Sequence, residues 1–146
     1  MTADGKTKVL ASSVNRVNER GDSTQHAELA ALQDAQQKTG SRHLEGAILL
    51  STSQPCEMCA GAIRNTNVGT VVYGASQQDL KGTHVQFETG FKPIRTVPDG
   101  VDIDKILQES GVSVFAGYKR DEVLRKLQRF VGTFEELYSD PDAAIS

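Results

Sequence analysis

Apolar positions in this chain fall into short runs broken by Gly, Asp, Ser and Pro, and the period shifts between that of a strand and that of a helix. Lys8 to Val14 reads as a strand around Val9 and Leu10, with an Asp4-Gly5 turn signal ahead of it. Asn15 to Gly21 reads as a loop. A helix follows. Asp22, Ser23 and Thr24 are its candidate N-caps, Ala27, Leu29, Ala30, Ala31 and Leu32 are good helix formers, and Gly40 is a C-terminal stop. Ala47 to Thr52 is a mostly apolar run of strand length, and Pro55 suits the first position of a helix from about Cys56 to Asn65. Thr70 to Tyr73 is a further strand, ended by Gly74, and residues 75–100 read as irregular. Asp102 to Glu109 is a short helix and Val112 to Tyr118 a strand. Arg120 to Phe130 is an amphipathic helix with Val123, Leu124, Leu127, Phe130 and Val131 on its apolar side, and the tail from Asp140 to Ser146 reads as frayed. Strands alternating with helices predict an α/β layer fold, and the length predicts one domain over residues 1–146.

Composition narrows the class. With 38% hydrophobic and 24% charged residues, the chain is neither a disordered nor a membrane sequence. The polar stretch Met1 to Lys8 lacks the apolar core of a signal peptide, so the expectation is a cytoplasmic protein with no membrane partner. A net charge of -3 argues against nucleic acid as the main partner, because phosphate binding needs a basic face. The run Lys119, Arg120, Arg125, Lys126, Arg129 is interleaved with Asp121 and Glu122 and reads as a solvated helix face.

Two motifs carry candidate chemistry: His26-Ala27-Glu28 and Pro55-Cys56-Glu57-Met58-Cys59. Each opens a predicted helix. Helix N-termini carry partial positive charge and favour thiolate, the form of cysteine that binds zinc. Cys56 and Cys59 can point at one ion from a first turn, and His26 offers a third ligand. Three protein ligands leave one tetrahedral position for water, the catalytic arrangement. Glu28 follows His26 by two residues and can face the same cavity as a proton carrier without being a ligand. Two rival readings stand beside this one. A redox Cys-x-x-Cys pair leaves His26 and Glu28 unexplained, and a structural zinc site needs a fourth ligand such as His43 or His84, which otherwise read as surface residues.

The pair H-x-E followed by P-C-x-x-C resembles the zinc cytidine and deoxycytidylate deaminase superfamily. Residues 15–28, together with CEMCAGAIRNTNVGTVVYG from Cys56 to Gly74, are similar to its branch of guanine, cytosine and tRNA-adenosine deaminases. Asn15 lies eleven residues before His26, the spacing of that branch's ring-reading Asn, and Asp22 matches its Asp. Ser23 and Gln25 stand where the branch has Pro and Ala. The clear match covers residues 7–75.

The resemblance implies a three-layer α-β-α fold with a mixed sheet, here without the family's first helix and first strand, because only 14 residues precede Asn15. It implies zinc on His26, Cys56 and Cys59, proton transfer by Glu28, and substrate contacts from Asn15, the Ala27 N–H and the carbonyl groups near Ser53 and Gln54. Phe87 and Phe91 read as ordinary core residues, while the resemblance implies a pocket closed by an aromatic from this region or from the C-terminus. The expected function is hydrolytic deamination of an aminated nucleobase or nucleoside. A tRNA or single-strand deaminase ranks second, and a shortened zinc-binding relative without turnover is the reading of another class. A homodimer is expected, with Ile63, Val68, Val71 and Val72 supplying apolar surface either to the interface or to the core.

Overall fold

The computed structural model describes residues 7–82 and 97–138. Its helices are α1 (Val17–Arg20), α2 (Ala27–Thr39), α3 (Glu57–Asn65), α4 (Gln77–Gly82), α5 (Ile103–Glu109) and α6 (Arg120–Tyr138). Its strands are β1 (Ile48–Ser53), β2 (Thr70–Ala75) and β3 (Ser113–Phe115). The strands form one sheet in the order β1-β2-β3, with Leu49 beside Val71 and Val71 beside Val114. Both pairings are parallel, so the mixed sheet expected from the sequence is wholly parallel among the described strands. Parallel neighbours need a crossover, and α3 supplies it between β1 and β2.

Helices cover both faces of the sheet, giving the expected α/β layer architecture. On one face Val71 and Tyr73 of β2 meet Ile63 of α3, Ile103 and Leu107 of α5 and Leu32 of α2, all at most 4% exposed. On the other face α6 crosses β2 at Gly74. A side chain at residue 74 would meet Val123 Cγ2 at 2.7 Å, the Thr52 carbonyl oxygen at 2.9 Å and the Tyr118 carbonyl oxygen at 3.0 Å, so only glycine admits this approach. Beyond that crossing, Ile48, Leu50 and Phe115 remain exposed.

Several boundaries differ from those read in the sequence. Lys8 to Val14 is not a strand: Val9 and Val14 face solvent, and only Leu10 and Ala11 lean on the core, too little to fix a ladder. The loop after Asn15 contains α1, and residues 77–82 form α4. The strand expected to reach Tyr118 stops at Phe115, before Gly117 at φ +80°. Helix α6 extends to Tyr138, past the expected end at Phe130. Ile63, Val68 and Val71 are core residues; of the four proposed for an interface only Val72 is partly exposed. His84, Phe87, Phe91 and the tail from Asp140 lie outside the described residues.

Candidate active site

The carboxyl half of β1 and the starts of α2 and α3 converge on one cluster of side chains. Ahead of α2, the chain is held by Asp22, whose carboxylate accepts from the Thr24 N–H at 2.8 Å, the Thr24 hydroxyl at 2.7 Å and Gln25 Nε2 at 2.9 Å. These bonds, the Thr24 hydroxyl foremost, keep the Asp22 carboxyl below its ordinary pKa. None of Asp22, Ser23 and Thr24 is the N-cap. They build the turn that delivers His26 to that position.

His26 caps α2 and Cys56 caps α3, both in extended backbone and neither with a side-chain cap hydrogen bond. Their side chains turn instead toward each other. Cys56 Sγ lies 3.5 Å from His26 Nδ1, and Cys59 Sγ, fully buried in the first turn of α3, lies 3.7 Å from it. The three ligand atoms all fall within 4.8 Å of one another. A tetrahedral zinc site with Zn–S of about 2.3 Å and Zn–N of about 2.0 Å has ligand-to-ligand edges of roughly 3.5–3.8 Å. Donor type and spacing therefore both fit zinc. His43 is exposed, bonded to Asn67, and takes no part in the cluster.

The electrostatics point the same way. A hydrogen bond from Cys59, assisted by His26, pulls the Cys56 thiol down to about 4. Cys59 is pushed up, because its proton is the one held against Cys56, with burial and the nearby Glu28 adding to the shift. The hydrogen bond with Cys56 raises His26. A dithiol that releases one proton readily, beside an imidazole and a carboxylate, suits a divalent cation.

Glu28 stands in the first turn of α2. Its Oε2 faces the cluster, 3.8 Å from Cys59 Sγ, and its Oε1 accepts from the Ser51 hydroxyl at 2.9 Å. Asn15 is exposed at the head of α1, where its Oδ1 accepts from the Val17 N–H at 3.1 Å, leaving the amide NH₂ as its outward donor. Ala27 opens α2, where a backbone N–H has no intrahelical partner. Ser53 ends β1. The Gln54 carbonyl accepts from Gln77 Nε2 at 2.7 Å, so Gln54 holds a loop as well as lying near the site.

The sequence reading missed two features. One is Ser51 on Glu28. The other is a strut behind the Cys56 loop: Gln54 Nε2 donates to Asp104 Oδ1 at 2.8 Å, and the Tyr73 hydroxyl donates to Asp104 Oδ2 at 2.7 Å. Burial first, then Asp104, raises the Tyr73 pKa and keeps the phenol a donor. The available signal was polar residues at inward strand positions, Ser51 in β1 and Tyr73 in β2.

Comparison with known proteins adds ancestry to geometry. Residues 3–109 match the MafB19-like deaminase family. The tRNA-specific adenosine deaminase of Agrobacterium fabrum is 38% identical over 110 residues, covering 75% of this chain and 70% of that protein. The corresponding protein of Buchnera aphidicola is 42% identical over 74 residues, 51% of this chain and 49% of the relative. Among solved structures, guanine deaminase from Nitrosomonas europaea superposes with a TM-score of 0.68 at 27% identity, covering 82% of this chain and 64% of that one. The chain thus spans about half the length of the Buchnera relative and under two thirds of the guanine deaminase chain.

Proposed function

The chain belongs to the MafB19-like deaminase family, and from that premise we propose that it hydrolytically deaminates an aminated nucleobase or nucleoside, releasing ammonia. The observation that carries this reading is the Glu28 carboxylate facing the His26, Cys56 and Cys59 cluster while lying outside the set of three ligand atoms. Zinc, when bound by those three residues, supplies a water that is nucleophilic near neutral pH. Glu28 Oε2 takes one proton of the attacking water and delivers it to the ring nitrogen, then takes the second from the new hydroxyl and delivers it to the departing amine. The Asn15 amide and the Ala27 N–H hold the ring edge, with the carbonyl groups of Ser53 and Gln54 beside the leaving amine.

A small substrate is preferred because the cationic run that begins at Lys119 and continues along α6 is largely matched by acids. Lys119 and Lys126 pair with Glu122, and Arg120 pairs with Asp79 and Asp121. That arrangement offers little net positive surface to a phosphate chain. The second reading, a tRNA adenosine deaminase, is favoured by the sequence relatives. Ammonia release measured on guanine, cytosine, adenosine, cytidine and a tRNA anticodon stem-loop separates the two. Turnover of a free base or nucleoside is the expected result, and turnover of the stem-loop alone reverses the ranking.

We place the protein in the cytoplasm as a homodimer. No helix among the described residues is long and apolar enough to cross a membrane. The exposed Ile48, Leu50 and Phe115 face is the apolar surface best suited to a second copy. Light scattering at micromolar concentration checks this, and a mass near that of one 15.8 kDa chain rejects it.

A further inference from the structure

Strand β1 alternates strictly, with Ile48, Leu50 and Thr52 outward and Leu49, Ser51 and Ser53 turned toward the helices. An inward position in a strand under helices normally takes an apolar residue, and Leu49 obeys that rule, packing on the core. Ser53, at the strand's end, breaks it, and so does Ser51 in mid-strand. Its hydroxyl is partly buried, and a buried hydroxyl is costly unless hydrogen-bonded. Its partner is Glu28, 23 residues earlier in the chain, with Ser51 Oγ donating to Oε1 at 2.9 Å.

We infer that Ser51 is a positioning residue for Glu28, holding Oε1 so that Oε2 alone serves as the proton-carrying oxygen. This rests on the deaminase reading above. The two carboxylate oxygens have different neighbours: Oε1 meets the hydroxyl, and Oε2 meets the cluster at Cys59 Sγ. A carboxylate free to rotate about its last torsion presents either oxygen, since that torsion is broad and two-fold. A donor on one oxygen removes the choice. During turnover the water's proton goes to Oε2 while its oxygen bonds to the ring carbon. The proton then moves to the ring nitrogen, Oε2 takes the second proton from the hydroxyl now on the ring carbon and passes it to the amine, and the carbon–nitrogen bond breaks with ammonia leaving. Throughout, Oε1 keeps the Ser51 hydrogen bond, so the side chain neither swings toward the sulfurs nor turns away from the ring. The donor comes from a strand paired along its length with β2, so its position is fixed more rigidly than a loop residue's.

The test compares Ser51→Ala and Ser51→Thr with the unaltered zinc-loaded protein. One readout needs no substrate: the side-chain carboxyl carbon resonance of Glu28 in protein labelled at glutamate, assigned through Glu28→Gln. Ser51→Ala should move that resonance and Ser51→Thr should return it. With whichever of guanine, cytosine, adenosine and cytidine turns over fastest, Ser51→Ala should lower kcat about ten- to a hundredfold, the range of a charge-assisted hydrogen bond. KM should change by less than about twofold, zinc content should stay the same, and Ser51→Thr should recover most of the rate. Adding Ser51→Ala to Glu28→Ala should cost nothing further. An unmoved resonance with unaltered kcat overturns the proposal, as does loss of zinc from Ser51→Ala. If the unaltered protein releases no ammonia from any of the four compounds or from the tRNA anticodon stem-loop, the deaminase reading fails on its own. The resonance then still decides whether Ser51 holds Glu28.

Discussion

Asp102 and His26 occupy the same position, one residue before a helix, and use it in opposite ways. The Asp102 carboxylate folds back onto α5 and accepts from the Lys105 N–H at 3.0 Å. At α4 the arrangement is reciprocal: Asp79 accepts from the Ser76 N–H at 2.9 Å, and the Ser76 hydroxyl accepts from the Asp79 N–H at 3.1 Å. His26 and Cys56, heading α2 and α3, make no such bond. A side-chain cap stabilises a helix by about 1 kcal/mol, so these two starts together forgo roughly 2 kcal/mol. What they gain is a pair of ligand atoms 3.5 Å apart, brought together from 30 residues' separation in sequence. The contrast teaches that a side chain at a helix start can turn either back onto its own helix or away toward a neighbouring cluster, and that His26 and Cys56 take the second course.

The largest effect that tests this contrast is on turnover. Glu28→Ala should lower ammonia release by more than about a hundredfold while zinc content stays near one equivalent, if the carboxylate carries protons and binds no metal as proposed. Simultaneous loss of metal would make Glu28 a ligand and redraw the site. Cys59→Ala comes next. Metal analysis should fall from about one equivalent to a small fraction of it, since two remaining ligands hold zinc poorly.

Smaller still are the caps themselves. His26→Asp should add a cap to α2 and raise the stability of the metal-free protein by about 1 kcal/mol while abolishing zinc binding. Asp102→Ala should lower stability by about 1 kcal/mol and leave zinc untouched. Urea unfolding with and without chelator checks both, and equal responses of the two variants to chelator would erase the distinction. The smallest effect concerns acid. Arg120, donating to Asp79 Oδ2 at 3.0 Å, holds the Asp79 carboxyl below its ordinary range, with the bonds from Ser76 helping. A carboxylate with a depressed folded-state pKa stabilises above its unfolded value of about 3.9 and loses that contribution as pH falls below it. Asp79→Asn should therefore lower Tm slightly at pH 6 and by less at pH 2.5.

Much of this site was legible because its information is local. His26, Glu28, Cys56 and Cys59 lie within three residues of two helix starts, and those starts are marked by Gly21, Asp22 and Pro55. The apolar runs of β1 and β2 were equally plain, but not the alternation that leaves Ile48 and Leu50 exposed. What escaped depends on orientation across elements. Ser51 acquires its meaning only once β1 is known to face α2, and Gln54 only once α5 brings Asp104 against it. Lys8 to Val14 was misread because β propensity at Val9 and Leu10 says nothing about whether a ladder partner is within reach. Helix α1 is four residues long, too short for any periodicity to show.

The close crossing of α6 over residue 74 has a consequence for how freely this sequence can drift. Most positions in a strand tolerate exchange among several side chains of similar volume. Gly74 has no such set, because two of the three atoms crowding it are backbone carbonyl oxygens, of Thr52 and Tyr118, which cannot step aside by changing rotamer. Substitutions elsewhere on this face can be absorbed one at a time. A change at residue 74 must wait for the path of the chain between β3 and α6 to shift first. The seam acts as a ratchet on divergence: relatives that keep this docking of the last helix keep the glycine, and those that lose the glycine must seat that helix along another line.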